Sequence, residues 1–419
     1  MSLLRNRNLA AVLGAELVSL TGSAMTLVAL PWFVLITTGS TARMGWVLAA
    51  ELLPVGLLGI PAGSLIARLG AKRTMNVADG ARAPLMAAIP ILHWSGHLSF
   101  GALLALTFLI GCFMAPYYAS SRIILPEVVG EDEQLVAQGS AFLQAAMQLT
   151  QLGGPILGGV LISVLSAPAV LIVDAATYAV SFVVIFTFVR VGKRMAPEES
   201  SRGVFAGLRY LLRDRLLGPM LAAAAFINFA AQGLLALIPV IVLRRYDADP
   251  KIVGFCFAAF GAGALVGSLA AARLVRKVPL LTLAGTAILL MSLPLWFLAI
   301  AMPWPLLLAV FALFGVFAPL VNAPVLTILT MRTPQALRPK VMTAVMTVSS
   351  LIGPLGFLAV GQALQNVGIR VVALAIAAGF TAAAAAFSAA VRRGAREEKQ
   401  DAVPTGDLAT VLTAEARPD

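Results

Sequence analysis

The chain has 419 residues, 60% of them hydrophobic and 12% charged, with a mean hydropathy of +0.94. A soluble domain carries about 25% charged residues, so this composition excludes a globule with a wetted surface. The formal charge of +11 invites nucleic acid as a partner, and the placement of the cations argues against it.

A helix crosses a membrane with about 20 mostly apolar residues, and such stretches recur along the chain. The spans read as 9–36, 44–67, 74–92, 98–121, 139–164 and 167–189, then 216–243, 252–272, 279–301, 304–330, 341–364 and 370–391. The first has no cleavage-type site and is soon followed by another, so it reads as a membrane helix and not a removed leader. On it Glu16, Ser19, Ser23 and Thr26 form a polar stripe at helical spacing, expected to face a central cavity. Glu51 comes early in the second span. On the third, Asp79 and Arg82 stand three apart, close enough to pair. Tyr117 and Tyr118 end the fourth and read as interfacial anchors. Gln144, Gln148 and Gln151 share one face of the fifth, and Asp174, Tyr178 and Ser181 one face of the sixth, where Asp174 is expected to make an interhelical hydrogen bond.

The spans divide six from six at the longest internal polar stretch. Residues 1–195 read as an N-terminal half and 196–215 as a linker. In the linker, Val204, Phe205, Leu208, Leu211 and Leu212 recur as the apolar side of a short amphipathic helix. Residues 216–391 form the C-terminal half, and 392–419 a polar tail expected to be disordered. With these spans, 24 of the 30 Lys and Arg fall at one set of helix ends, among them Arg68, Lys72 and Arg73. By the positive-inside rule this places both termini in the cytoplasm and explains the net charge as topology.

The halves echo each other. Gln144, Gln148, Gln151, Gly154 and Pro155 correspond to Thr343, Thr347, Ser350, Gly353 and Pro354, each pair 199 residues apart. Two related six-helix halves with a site between them is a transporter plan. Cys112 and Cys256 lie inside spans and give neither a disulfide framework nor a zinc spacing. His93 and His97 flank an external turn. No Gly-rich Lys-Ser/Thr loop for a nucleotide and no nucleophile triad is seen, so neither ATP-driven transport nor an enzyme is expected.

Between the second and third spans, Gly63, Leu65, Arg68, Gly70, Lys72 and Arg73 resemble the loop signature Gly-x-Leu-x-Asp-Arg-x-Gly-Arg/Lys-Arg of the major facilitator superfamily. Ala67 stands where that pattern has Asp. Gly154-Pro155-Ile156-Leu157-Gly158-Gly159 on the fifth span resembles the segment associated with its antiporters. The whole chain resembles the branch of macrolide-efflux and enterobactin-exporter-like proteins, through Leu30-Pro31, Asp79 with Arg82, Pro126-Glu127, Asp174-Ala175 and residues 207–211. The resemblance implies an all-α membrane protein of twelve transmembrane helices in two pseudo-symmetric halves. It implies export of a bulky lipophilic or amphipathic molecule by proton antiport.

A carboxylate at the middle of a span costs about 2.5–3.5 kcal/mol on insertion scales. Glu16, Glu51, Asp79 and Asp174 are therefore the proton-coupling candidates, with Glu16 first. Candidates for lining the substrate cavity are Ser19, Ser23, Gln144, Gln148, Gln151, Asn228, Gln232, Asn322 and Thr347. Gating is expected from the loop signature, Arg82 and the Gly154–Gly159 motif. The expected partners are the bilayer, protons and a small-molecule substrate, for a monomer without cofactor or metal. Uptake or facilitated diffusion, and a transport-inactive scaffold or sensor, are the alternatives.

Overall fold

The computed structural model describes residues 6–130, 132–191, 204–214 and 216–401, with side chains described for all but 60–64, 67, 204–206 and 390–401. In chain order the helices are α1 (Arg7–Thr38), α2 (Thr41–Leu69), α3 (Ala71–Trp94), α4 (Phe100–Val129), α5 (Glu133–Leu165) and α6 (Ala167–Phe188). A short α7 (Val204–Arg213) follows, then α8 (Leu217–Arg245), α9 (Pro250–Leu274), α10 (Leu280–Ser292), α11 (Trp304–Arg332), α12 (Arg338–Asn366) and α13 (Gly368–Asp401). Backbone groups in lipid find no water, so each spanning segment must satisfy its own hydrogen bonds, and helices do.

Helix starts follow local chemistry. The side chains of Asn6, Ser40, Ser99, Asp132 and Asp249 accept from first-turn amides of α1, α2, α4, α5 and α9. Gly39 ends α1 in the left-handed region at φ 63°, which a residue without Cβ adopts freely. The span expected at 279–301 is divided, because Pro294 follows α10 and the chain continues as a 3-10 turn over Pro294–Ala299. The last helix runs on to Asp401, ten residues past the expected span end at Val391. Linker residues 192–203 and tail residues 402–419 lie outside the described residues.

Eleven membrane-length apolar segments are present among the described residues. The twelfth long helix, α3, carries Lys72, Arg73, Asp79 and Arg82 and packs lengthwise on α4 and α6. Its charges keep it from registering as apolar, yet Asp79 and Arg82 face inward. Within the first half α1 packs on α5 and α6, α2 on α4, and α3 on α4 and α6. The second half repeats the pattern: α8 on α12 and α13, α9 on α11, and α10 on α11 and α13. The amphipathic α7 docks on the start of α12. Gly207 fits against the Lys340 backbone, Leu211 is buried, and the Tyr210 hydroxyl donates to the Arg332 carbonyl at 2.9 Å.

The halves meet along two crossings, α2 with α12 and α5 with α9. At the first, Thr41 donates to the Gly361 carbonyl at 2.9 Å and Ser40 to Gln365 Oε1 at 2.7 Å. A Cβ at Gly56 would stand 2.9 Å from Leu351 Cδ2. At the second, a Cβ at Gly159 would stand 2.6 Å from the Pro250 carbonyl oxygen, and one at Gly254 would collide with the Pro155 carbonyl oxygen. Glycines let the backbones approach this closely. All these approaches lie between the middle of the helices and the face opposite the termini, called the far face here. Toward the terminal face, Gln144, Gln148 and Met346 on the same helices are exposed. The halves are thus closed together at the far face.

Overpacking a tight contact costs about 1–3 kcal/mol, so Gly254→Leu should drive the halves apart at the far face. In a Ser40→Cys/Gln365→Cys background, chemical cross-linking of the two introduced thiols should fall when Gly254→Leu is added. Undiminished cross-linking would show that the α5–α9 contact does not hold this closure.

Candidate functional site

Two polar regions sit side by side, one sealed inside the first half and one opening between the halves. The sealed region is built by α1, α3, α4 and α6. Asp79 and Arg82, one turn apart on α3, form an ion pair that is 0% and 1% exposed. The Arg82 guanidinium lies between two aromatic faces, 4.2 Å from the Tyr117 ring centre and 4.3 Å from that of Tyr178. Ser181 donates to Asp79 Oδ2 at 2.6 Å. The carboxylate of α6, Asp174, accepts from Thr26 on α1 at 2.6 Å and from Thr177 at 3.1 Å. The Tyr178 and Ser23 hydroxyls share a hydrogen bond of 3.0 Å. The sequence reading expected both the pairing of Asp79 with Arg82 and an interhelical bond at Asp174.

Glu16 is packed into this region at 2% exposure, with Asp79, Arg82 and Tyr117 as its electrostatic neighbours. Three buried polar atoms here make no hydrogen bond: Glu16 Oε1, Arg82 Nε and the Tyr117 hydroxyl. Leaving such a group unpaired costs about 1–3 kcal/mol.

The second region is a cavity of about 450 Å³ between the halves. The first half contributes Ser23, Thr26, Glu51, Tyr118, Gln151 and Pro155. From the second come Gln232, Leu235, Phe257, Phe260, Gly261 and Phe357. Glu51 is the carboxylate among the described lining residues, which include no Lys or Arg. The wall from the second half is largely aromatic. Such a chamber can hold an apolar body against the rings and a positive or hydrogen-bonding group beside Glu51.

Several expectations need correction. The stripe on α1 was expected to face the cavity as a whole, but only Ser23 and Thr26 reach it; Glu16 and Ser19 are buried in the sealed region. Of the three glutamines only Gln151 lines the cavity, while Gln144 and Gln148 are exposed nearer the terminal face. Gln232 lines it. Asn228 instead packs near Gly353 with its Oδ1 unpaired, Asn322 is exposed on α11, and Thr347 is half-buried outside the lining. Tyr117 and Tyr118 are not interfacial anchors, since Tyr117 covers Arg82 and Tyr118 lines the cavity. Sequence reasoning also missed Phe257 and Phe260, three apart on α9. In a helix apolar all round, aromatic spacing does not say which ring faces a void.

Among the gating candidates, Gly154 fits against Ala24 and Gly158 against Met25 on α1, while Gly159 meets Pro250 across the interface. Gly70, at φ 82°, joins α2 to α3. Arg68 is exposed, Lys72 donates to the Phe186 carbonyl at 3.2 Å, and Arg73 is exposed. Gly63 lies on α2 where side chains, including that of Ala67, are outside the described residues.

The family model for the Major Facilitator Superfamily matches residues 12–356 and 221–414. The chain is 28% identical over 379 residues to the multidrug efflux pump Tap of Mycolicibacterium fortuitum, a match covering 87% of this chain and 91% of that protein. It is 25% identical over 382 residues to the multidrug efflux pump Tap of Mycobacterium tuberculosis, covering 87% and 89%. Among solved structures, the nucleoside transporter NupG superposes with a TM-score of 0.73 at 14% identity, covering 91% of this chain and 98% of that one. A bacterial homologue of the human lysosomal transporter Spinster superposes with a TM-score of 0.71 at 14% identity, covering 91% and 96%. The repeated helix pairing, the cavity between the halves and the family match lead to one conclusion: this chain is a multi-pass membrane transporter belonging to the Major Facilitator Superfamily.

Proposed function

We propose that the protein exports lipophilic or amphipathic small molecules, drugs among them, by proton antiport. The observation that carries this reading is the cavity between the halves, walled by aromatic rings on one side and holding Glu51 on the other. Relatives of similar length bear the name multidrug efflux pump. The placement of cations supports a cytoplasmic terminal face. Transport then proceeds by alternating access, with the far-face crossings opening as the terminal side closes. The proton gradient is the driving force, no cofactor is required, and a monomer is the working unit.

Within this reading Glu51 meets substrate directly and exchanges a proton for it. Glu16, sealed beside Asp79 and Arg82, takes up and releases a proton as the first half changes its packing. The loop signature and the Gly154–Gly159 motif guide the rocking of the halves.

The test uses purified protein in liposomes with an imposed pH gradient and an internal proton dye, challenged with macrolides, lipophilic cations and catecholate siderophores. Proton movement triggered by one class establishes antiport and its substrate type together. Silence across the panel from folded protein would remove the antiport reading. Glu51→Gln should cut gradient-driven transport of cationic compounds by about tenfold or more, the effect of losing one desolvated charge contact, while neutral compounds are spared. Equal losses for both would show that Glu51 does not read substrate charge.

Glu16→Gln should separate coupling from binding. Substrate should still equilibrate down its own gradient, while the response to pH disappears. Intact pH-driven transport in Glu16→Gln would make Glu16 structural.

A further inference from the structure

We infer that the furrow between α3 and α6 at the terminal face binds an anionic phospholipid whose headgroup carries hydroxyls, of the phosphatidylglycerol or phosphatidylinositol type. The furrow lies apart from the central cavity, so this inference stands whatever the transporter carries. Its volume is about 720 Å³. One face of α3, at Lys72, Arg73, Asn76, Val77 and Gly80, forms the first wall. Phe182 and Phe186 of α6 form the second, their rings stacked with centres 5.8 Å apart. Val77 is 48% exposed and Phe186 63% exposed, so the furrow opens sideways into hydrocarbon. That is a channel suited to an acyl chain.

The mouth of the furrow is positive. α3 begins at Gly70 with no side-chain cap, which leaves first-turn amides unsatisfied at the positive end of the helix dipole. No acid sits in that first turn, and Lys72 and Arg73 add two charges there. The bond from Lys72 Nζ to the Phe186 carbonyl holds the ammonium at the mouth and leaves further N–H donors for a ligand. Free amides and two cations together match a phosphodiester.

Asn76 selects within that class. It sits one turn deeper, is 8% exposed, and its Oδ1 has no partner. A carbonyl oxygen cannot bond a phosphate oxygen; it needs a donor. Glu127 also lines the furrow and has an interaction of its own. A headgroup with phosphate at the helix end and a hydroxyl beyond it satisfies both requirements once a turn of the Asn76 side chain brings Oδ1, enclosed in this structure, to the furrow.

The test is native mass spectrometry of the full chain, released from detergent holding equal amounts of dioleoyl phosphatidylglycerol, phosphatidylethanolamine and phosphatidylcholine. Wild type should retain phosphatidylglycerol about fivefold or more over the other two, and Lys72→Gln/Arg73→Gln should lower that retention about tenfold. Val77→Trp, which fills the furrow from an exposed position, should lower retention of all three lipids. It decides the matter should the double variant fail to fold. In a second mixture of equal phosphatidylglycerol and phosphatidic acid, which lacks the glycerol hydroxyls, Asn76→Leu should erase the wild-type preference for phosphatidylglycerol. Equal retention of the three lipids by wild type, or full retention in both the double variant and Val77→Trp, overturns the site. Displacement of phosphatidylglycerol by millimolar inorganic phosphate as complete as by excess lipid would assign it to free phosphate instead. A lipid preference unchanged in Asn76→Leu would overturn the hydroxyl contact.

Discussion

A guanidinium held in the interior of a lipid-embedded bundle sets the terms for the first half. Arg82 cannot reach water, so its charge must be met on the spot. Asp79 supplies the counter-charge, and Tyr117 and Tyr178 supply two ring faces. Removing one partner of a buried pair strands the other at a cost of about 3–5 kcal/mol. α3, α4 and α6 are therefore locked around Arg82, and α1 joins them through the bonds from Thr26 to Asp174 and between Ser23 and Tyr178. The second half has no equivalent among its described residues, where Asn228 and Gln232 are neutral. Ionisable chemistry on one side and an aromatic wall on the other follow from that division.

The seam between the halves is of a different kind. Its two crossings bring glycines against carbonyls and apolar side chains, with the hydrogen bonds of Thr41 and Ser40 at the far end. Dispersion between close backbones is short-ranged, and a gap of about 0.5–1 Å forfeits roughly a quarter to a half of it. Such a seam is firm when closed and releases over a small displacement, without a buried charge to strand. Rigid halves joined by a seam of this kind are what a rocking transporter requires.

Much of this was legible in the sequence, because the bilayer imposes simple rules. Span length, the six-and-six division, the amphipathic α7 and the pairing of Asp79 with Arg82 follow from length, charge and helical spacing. The course of α1 did not. Glu16, Ser19, Ser23 and Thr26 share one side of the helix, and a helical wheel gives that angle correctly. It gives no account of what lies opposite at each depth. At Glu16 the neighbour is Tyr117 of α4; two turns on, at Ser23, it is the cavity. Tyr118 and the α9 phenylalanines were hidden for the same reason, since a helix buried on nearly all sides offers no polar contrast to mark its cavity face. The break in the ninth span was signalled by Pro294 and overridden by the apolar residues around it.

The two polar regions are contiguous through Ser23 and Tyr178. Both line the cavity, and the ring of Tyr178 also covers Arg82. Under the proposed antiport, a substrate that took the Ser23 hydrogen bond from Tyr178 would free that ring to shift, and a shift would uncover one face of the guanidinium. Arg82 would then have cause to turn its unused Nε toward Glu16, whose Oε1 is equally unused. A ligand that never touches Glu16 would in this way alter the balance of charge around it. Coupling then needs no proton path through the cavity itself. Glu51 and Glu16 can serve separate steps because α1 carries the sealed site on one stretch and the cavity wall on the next.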